Sequence, residues 1–244
     1  MNSPTPEIIF CSGQEDLAQQ AAEAVTAALL VARDRPRLSL ALAGGTTPLG
    51  LYRRLAASPL REAIPWERLE IFWGDERAVP PNHPESNFRS ARETLLDHVP
   101  LSPGQIHRLQ GESPKLKAEA TRYAAEIRRV LGGKLPRIDL ILLGLGADGH
   151  TASLFPGSPA LTSTDLVAAV PAPSVGGLPR LTFTPHLLNA ANSVFFLVAG
   201  PNKAPAIREV LKSQADPAAC PARAVAPDEG TVRWFLDEDA AALL

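Results

Sequence analysis

Cysteine is scarce in this sequence, and what there is lies far apart. Cys11 and Cys220 are the two thiols among 244 residues, without CxxC or metal-ligand spacing. That excludes a disulfide framework, and it predicts two buried structural thiols in a reducing, cytoplasmic setting. No stretch approaches the roughly 18 consecutive apolar residues of a membrane span. The opening MNSPTPEIIF lacks a basic region followed by a long apolar run, so no signal peptide is expected. An excess of one charge is also missing. The 24 Lys and Arg against 26 Asp and Glu leave a net charge of −2, with no basic run beyond Arg53-Arg54 and Arg128-Arg129. Nucleic acid and membrane surfaces are therefore excluded as partners, and any bound anion is small. There is no G-x-S-x-G elbow and no H-E-x-x-H. His83, His98, His107 and His186 lack ligand spacing and read as surface or satisfied core residues, so no metal is expected.

What is present is an alternation of short apolar runs with longer helical patterns, the mark of an α/β protein with a mainly parallel sheet. Strands are expected at 7–10, 38–43, 69–73, 138–143, 166–170, 180–183, 193–199 and 231–236. Helices are expected at 14–33, after Thr47-Pro48, at 85–99 with Ser86 or Asn87 as N-cap, after Ser113-Pro114, after Thr184-Pro185 and at 202–212. Gly132-Gly133 closes the fourth of these. The proline-rich patches at 171–179 and 217–227 read as surface loops too short to link domains. A single domain over 1–244 follows.

In open parallel sheets, ligands bind beyond the carboxyl ends of the strands. Three motifs fall at such ends: AGGTTP, GDER and GLGADGH. The last spells G-x-G-x-x-G after an apolar run, yet it fits a dinucleotide loop poorly. Such a loop needs a helix of several turns after its last glycine and an acidic residue at the end of a second strand. Here Pro156-Gly157 stops any helix within about two turns, and Asp165 stands before its strand rather than after it. The alternative is Asp148-Gly149-His150: an imidazole that titrates near neutral pH, with a carboxylate to orient it. A loop histidine making one hydrogen bond is the plainer reading and stays open.

AGGTTP follows a strand and opens a helix, with Thr47 suited to the N-cap and Pro48 to the first helical position. The amides of Gly44 and Gly45 with the hydroxyls of Thr46 and Thr47 make a small anion cradle, or else a simple strand-to-helix turn. It is not a Walker A loop, because Leu51-Tyr52 follows Gly50. GDER sets Asp75, Glu76 and Arg77 just past a strand, either as an exposed charged turn or with Arg77 as the donor for an oxyanion. The combination suggests acid/base chemistry on a phosphorylated molecule, without metal or cofactor.

In order and spacing, AGGTTP, WGDERAVPPNHPESNFRSARETLL and GLGADGHTASLFPG resemble the 6-phosphogluconolactonases, with weaker matches in PRLTFT and GPNKA. The resemblance covers nearly the whole chain. It implies a doubly wound, mainly parallel sheet with helices on both faces and a few extra strands, shared with glucosamine-6-phosphate deaminases and ribose-5-phosphate isomerases. It also implies hydrolysis of 6-phospho-D-glucono-1,5-lactone, with no cofactor and with the phosphorylated sugar lactone as partner; a monomer is expected. By the same resemblance, His150 activates water with Asp148 in support, and Arg77 is an active-site cation. Gly44, Gly45, Thr46, Thr47, Arg180 and Lys203 hold the phosphate. Asp75 and Glu76 are candidates for orienting Arg77 or binding sugar hydroxyls, and Asn87 for binding hydroxyls. Asp148 either contacts His150 or only shapes the turn. The deaminases follow their histidine with a segment ending Asn-Glu-Pro. Here Ser153-Leu154-Phe155-Pro156 stands instead, with no carboxylate.

Overall fold

The computed structural model describes residues 6–31, 35–173 and 177–244. The last two residues of the helix expected at 14–33 and the middle of the 171–179 loop lie outside them. The strands are β1 (Glu7–Cys11), β2 (Leu38–Leu42), β3 (Leu69–Trp73), β4 (Asp75–Arg77), β5 (Leu140–Leu143), β6 (Val167–Val170), β7 (Arg180–Phe183), β8 (Ser193–Val198) and β9 (Thr231–Asp237). The helices are α1 (Gln14–Val31), α2 (Thr47–Leu55), α3 (Leu60–Ala63), α4 (Asn87–Thr94), α5 (Leu116–Leu131), α6 (Pro185–Leu188), α7 (Ala204–Lys212) and α8 (Glu238–Ala241).

Six strands form one all-parallel sheet in the order β1-β9-β8-β5-β2-β3. Its central strands read as near-continuous apolar runs because both of their faces are covered: LSLAL of β2 and LILL of β5 are buried at every position. The edge strand β1 keeps only Cys11 buried. Between β8 and β9 the facing Phe196 and Trp234 rings stack with centroids 3.8 Å apart, fixing that register.

From β2 the chain moves outward to β3, then returns past β2 to place β5 on its other side. With right-handed crossovers this reversal puts α2 on one face of the sheet and α5 and α7 on the other, which is double winding. It also opens a crevice between the carboxyl ends of β2 and β5, the switch point where α/β proteins bind ligands.

A second, antiparallel sheet, β4-β7-β6, was not legible as such. The charged triplet Asp75–Arg77, read as a turn, is the strand β4, and it sets Arg77 directly opposite Arg180. The helix expected at 85–99 is shorter. Ser86 caps α4 by accepting the Arg89 N–H at 3.2 Å, and the backbone leaves the helical region at Leu95, where φ is −135°. The N-cap of α2 is Thr46 rather than Thr47.

Candidate active site

Each strand end around the crevice is pinned by a neighbour. The Tyr52 hydroxyl of α2 donates to Ala43 O at 2.7 Å and accepts from Ala43 N at 2.9 Å, closing β2 into the AGGTTP loop. The Tyr123 hydroxyl of α5 accepts from Trp73 N at 2.9 Å and donates to His107 O at 2.8 Å, holding the end of β3 just before GDER. Asp237 at the end of β9 accepts the Gly200 N–H, which steadies the loop carrying Lys203. Backbone groups that would be left open at strand ends are satisfied in this way.

The crevice is a cavity of about 390 Å³. Gly44, Gly45, Thr46, Thr47, Asp75, Arg77, Asn87, His150, Arg180 and Lys203 all line it. Two residues of the sequence reading do not. Asp148 stands behind His150, and Glu76 points into the protein. A larger and more open depression of about 930 Å³ near Arg53, Thr94 and His98 gathers no comparable acid–base pair.

His150 Nδ1 lies 2.5 Å from Asp148 Oδ1, which also accepts the His150 backbone N–H at 3.2 Å. Asp148 therefore both contacts the imidazole and shapes the turn. Partial burial works to raise the Asp148 carboxyl, but the charge and hydrogen bonds of His150 outweigh it and hold the group below its usual value. With Nδ1–H donating to this carboxylate, Nε2 carries the free lone pair. The glycine pattern has a steric meaning. A Cβ at Gly146 would lie 2.0 Å from His150 Nδ1 and 2.5 Å from Asp148 Oδ1, so only glycine lets the pair form. Ala152, on the cavity wall, takes φ +47°, an uncommon backbone for a residue with a side chain.

Arg77 and Arg180 are cross-strand partners in β4 and β7. Like charges directly opposite each other are unfavourable unless something lies between them. Arg77 Nη1 donates to Glu85 O at 2.9 Å and to Asn87 Oδ1. The Nε atoms of both arginines are buried without a partner among the described residues. Burial, and then the facing Arg77 charge, pull Arg180 below its ordinary value. Two guanidiniums with buried nitrogens short of acceptors are suited to an anion. Lys203 adds a third cation to the same cavity, and it forms no ion pair among the described residues. Thr46 makes no side-chain capping bond, which leaves its hydroxyl available at the amino end of α2.

Glu76 was a candidate for orienting Arg77 or for binding hydroxyls. Its carboxylate instead accepts the N–H groups of Arg77, Asn87 and Phe88 at 2.8 Å each and the Ser86 hydroxyl at 3.0 Å. It is the buried anchor of the loop between β4 and α4, and burial raises its carboxyl despite those three amides. Asn87, proposed for hydroxyl binding, gives its amide hydrogens to Asp75 and its oxygen to Arg77.

The sequence reading missed three residues. Phe155 places its ring 4.6 Å from the His150 ring and 5.6 Å from the Arg180 guanidinium, packing against imidazole and guanidinium together. Ser153 and Gln14 also went unassigned, Gln14 lying on the cavity wall at the start of α1. Ser153 and Phe155 follow His150 in the same motif, but their partners Asp75 and Arg180 are distant in sequence. Gln14 reaches the wall only through the path of the chain.

No group of three or more His, Cys, Asp or Glu among the described residues could hold a metal ion. No described helix is long and apolar enough to cross a membrane. Cys11 and Cys220 are both free and buried.

Comparison with known proteins gives the chain its family. The family model described as glucosamine-6-phosphate isomerases/6-phosphogluconolactonase matches residues 12–234. A 6-phosphogluconolactonase of Synechocystis is 43% identical over 239 residues, spanning 96% of this chain and 97% of that protein. A solved 6-phosphogluconolactonase from Trypanosoma cruzi superposes with a TM-score of 0.86 at 29% identity, covering 100% of this chain and 99% of that one. A monomeric glucosamine-6-phosphate deaminase gives 0.82 at 25% identity, covering 98% and 100%. The chain belongs to the family of glucosamine-6-phosphate isomerases and 6-phosphogluconolactonases.

Proposed function

We propose that this chain hydrolyses 6-phospho-D-glucono-1,5-lactone to 6-phospho-D-gluconate, as the lactonase names of its relatives suggest. One observation carries the reading: an Asp148-oriented imidazole opens into the same cavity as Arg77, Arg180 and Lys203. A sugar phosphate brings close to two negative charges, and Arg180, Lys203 and the Thr46–Thr47 end of α2 supply what binds them.

A lactone carbonyl is electrophilic enough for water to attack directly, so no covalent nucleophile is required. His150 Nε2 takes a proton as the water oxygen bonds to C1. Negative charge then gathers on the former carbonyl oxygen, where the Arg77 guanidinium stabilises it. Asp148 stabilises the imidazolium during this step. As the tetrahedral intermediate collapses, the bond from C1 to the ring oxygen breaks, and the imidazolium returns its proton to that oxygen. The product acid ionises and releases one proton to solvent.

Every group named lies on one chain, so a monomer suffices. Two free, buried thiols suit a reducing cytoplasm. The deaminase reading has less support, because the segment after His150 presents no carboxylate to the cavity: Ser153 is buried against Asp75.

The test compares three compounds: freshly made 6-phospho-D-glucono-1,5-lactone, the same lactone without phosphate, and glucosamine 6-phosphate. Proton release is followed for the lactones and ammonia release for the amine. The phosphorylated lactone is expected to win in kcat/KM by at least about 100-fold, because its phosphate forms several charge-assisted hydrogen bonds. Ammonia release, or equal rates on both lactones, contradicts the proposal.

A further inference from the structure

A line of buried polar contacts runs from the histidine loop to the arginine across the cavity. Ser153 is fully buried three residues past His150, and its hydroxyl donates to Asp75 Oδ2 at 2.7 Å. Its N–H donates to Thr182 Oγ1 at 3.1 Å, so the donor is itself fixed to β7. The other carboxylate oxygen, Asp75 Oδ1, accepts Asn87 Nδ2 at 3.0 Å. The same amide nitrogen donates to Asp75 O at 2.9 Å. Asn87 Oδ1 then accepts Arg77 Nη1.

Each link constrains the next. An asparagine amide has a donor end and an acceptor end, and two acceptors on Asp75 dictate which end faces them. The oxygen must therefore point at Arg77. A flipped amide would set N–H against N–H there. Asp75 can impose this only if its carboxylate does not rotate, and the Ser153 hydroxyl holds its second oxygen. The Asn87 amide fills the space beside Gly44, where a Cβ would lie 1.9 Å from its Oδ1, so only glycine at position 44 leaves room for the relay.

We propose that Ser153, with Asp75 and Asn87, is a positioning residue for the reaction. This relay sets the Arg77 guanidinium relative to the His150 loop, so that oxyanion donor and base are held as one unit. The inference rests on the lactone hydrolase reading. Ser153 touches no substrate; it acts through Arg77. The phosphate contacts of Arg180 and Lys203 lie outside the relay, so kcat changes and KM does not.

The test is a double-mutant cycle between Ser153→Ala and Arg77→Lys. Ser153→Ala is expected to lower kcat by about 10-fold, because small misplacements of a transition-state donor are costly, and to leave KM within about two-fold. In the Arg77→Lys background the same substitution is expected to cost less than about two-fold, because the guanidinium it positions is gone. Equal costs in the two backgrounds, or an unchanged kcat in Ser153→Ala, overturn the relay.

Affinity for 6-phospho-D-gluconate, measured by calorimetry on the same four proteins, is expected to change less than about two-fold with Ser153→Ala in either background. A larger loss would make Ser153 a determinant of binding and overturn the relay. Should Ser153→Ala unfold, Ser153→Cys keeps the volume with a weaker donor and gives the same comparison. A wild-type chain without lactonase activity sinks the functional reading. An additive cycle in kcat in an active enzyme sinks only the relay.

Discussion

At the scale of single residues, the site is decided by side chains that are missing as much as by those present. Gly146 leaves the space in which Asp148 and His150 meet. Gly146→Ala is expected to displace the imidazole and lower kcat by about 100-fold or more, with the chain still folded. Gly45, unlike Gly146, sits at positive φ and has open space around it, so Gly45→Ala strains its own backbone rather than meeting a neighbour. Kinetics on both variants, with melting temperatures, separate the two effects; an unchanged kcat in Gly146→Ala would mean that Gly146 is not needed for the dyad. His150, Asp148 and Arg77 were legible in the sequence because motif and chemistry coincide at strand ends. The loads on Glu76 and Asn87 were not. A glutamate that accepts three backbone amides spells the same as one that binds a hydroxyl.

At the scale of elements, the parallel strands could be read because burial on both faces writes itself as an apolar run, as in LILL of β5. Strand β4 could not be read. Asp75, Glu76 and Arg77 have no strand pattern, and their extended form comes from pairing with Leu181 and its neighbours more than 100 residues away. The docking of α5 on β3 shows what tertiary contacts add. His107 is buried between Glu70 of β3 at 2.7 Å and Glu126 of α5 at 2.9 Å, and it stacks on Phe72. Arg37 pairs with Glu70, while Arg122 and Arg129 face Glu126.

Burial opposes the charge on His107, but the two carboxylates prevail and raise it above its ordinary 6.5. Its hydrogen bond to His107 lowers Glu126 from 4.5 to about 2. The sign follows from linkage. The Glu126 contribution is present above pH 4.5 and is lost as pH falls toward 2. The His107 contribution is present below pH 6.5 and is lost as pH rises through the raised folded value. Urea unfolding of wild type and His107→Gln is therefore expected to differ most between about pH 4.5 and 6.5, and less on either side. A difference that does not vary with pH would mean that folding leaves the titration of His107 and of its glutamate partners unshifted.

At the scale of the whole molecule, the reversal of strand order between β2 and β5 is what gathers residues from Gly44 to Lys203 around one crevice. The small antiparallel sheet then brings Arg180 to Arg77 from the side. If the chain is one domain, both flanks of the large sheet unfold together. Trp66 and Trp73 flank and lie in β3 at one edge, and Trp234 lies in β9 near the other. Denaturation followed by the fluorescence of variants that keep only one flank's tryptophans is expected to give coincident midpoints. Separated midpoints would divide the chain.

The account rests above all on His150 as the base, and proton release from fresh 6-phospho-D-glucono-1,5-lactone in wild type and His150→Ala measures that directly. The account predicts a fall in kcat of about 100-fold or more. It also predicts affinity for 6-phospho-D-gluconate within a few-fold of wild type, because the phosphate contacts remain. Equal turnover in the two proteins, once spontaneous hydrolysis is subtracted, would contradict it.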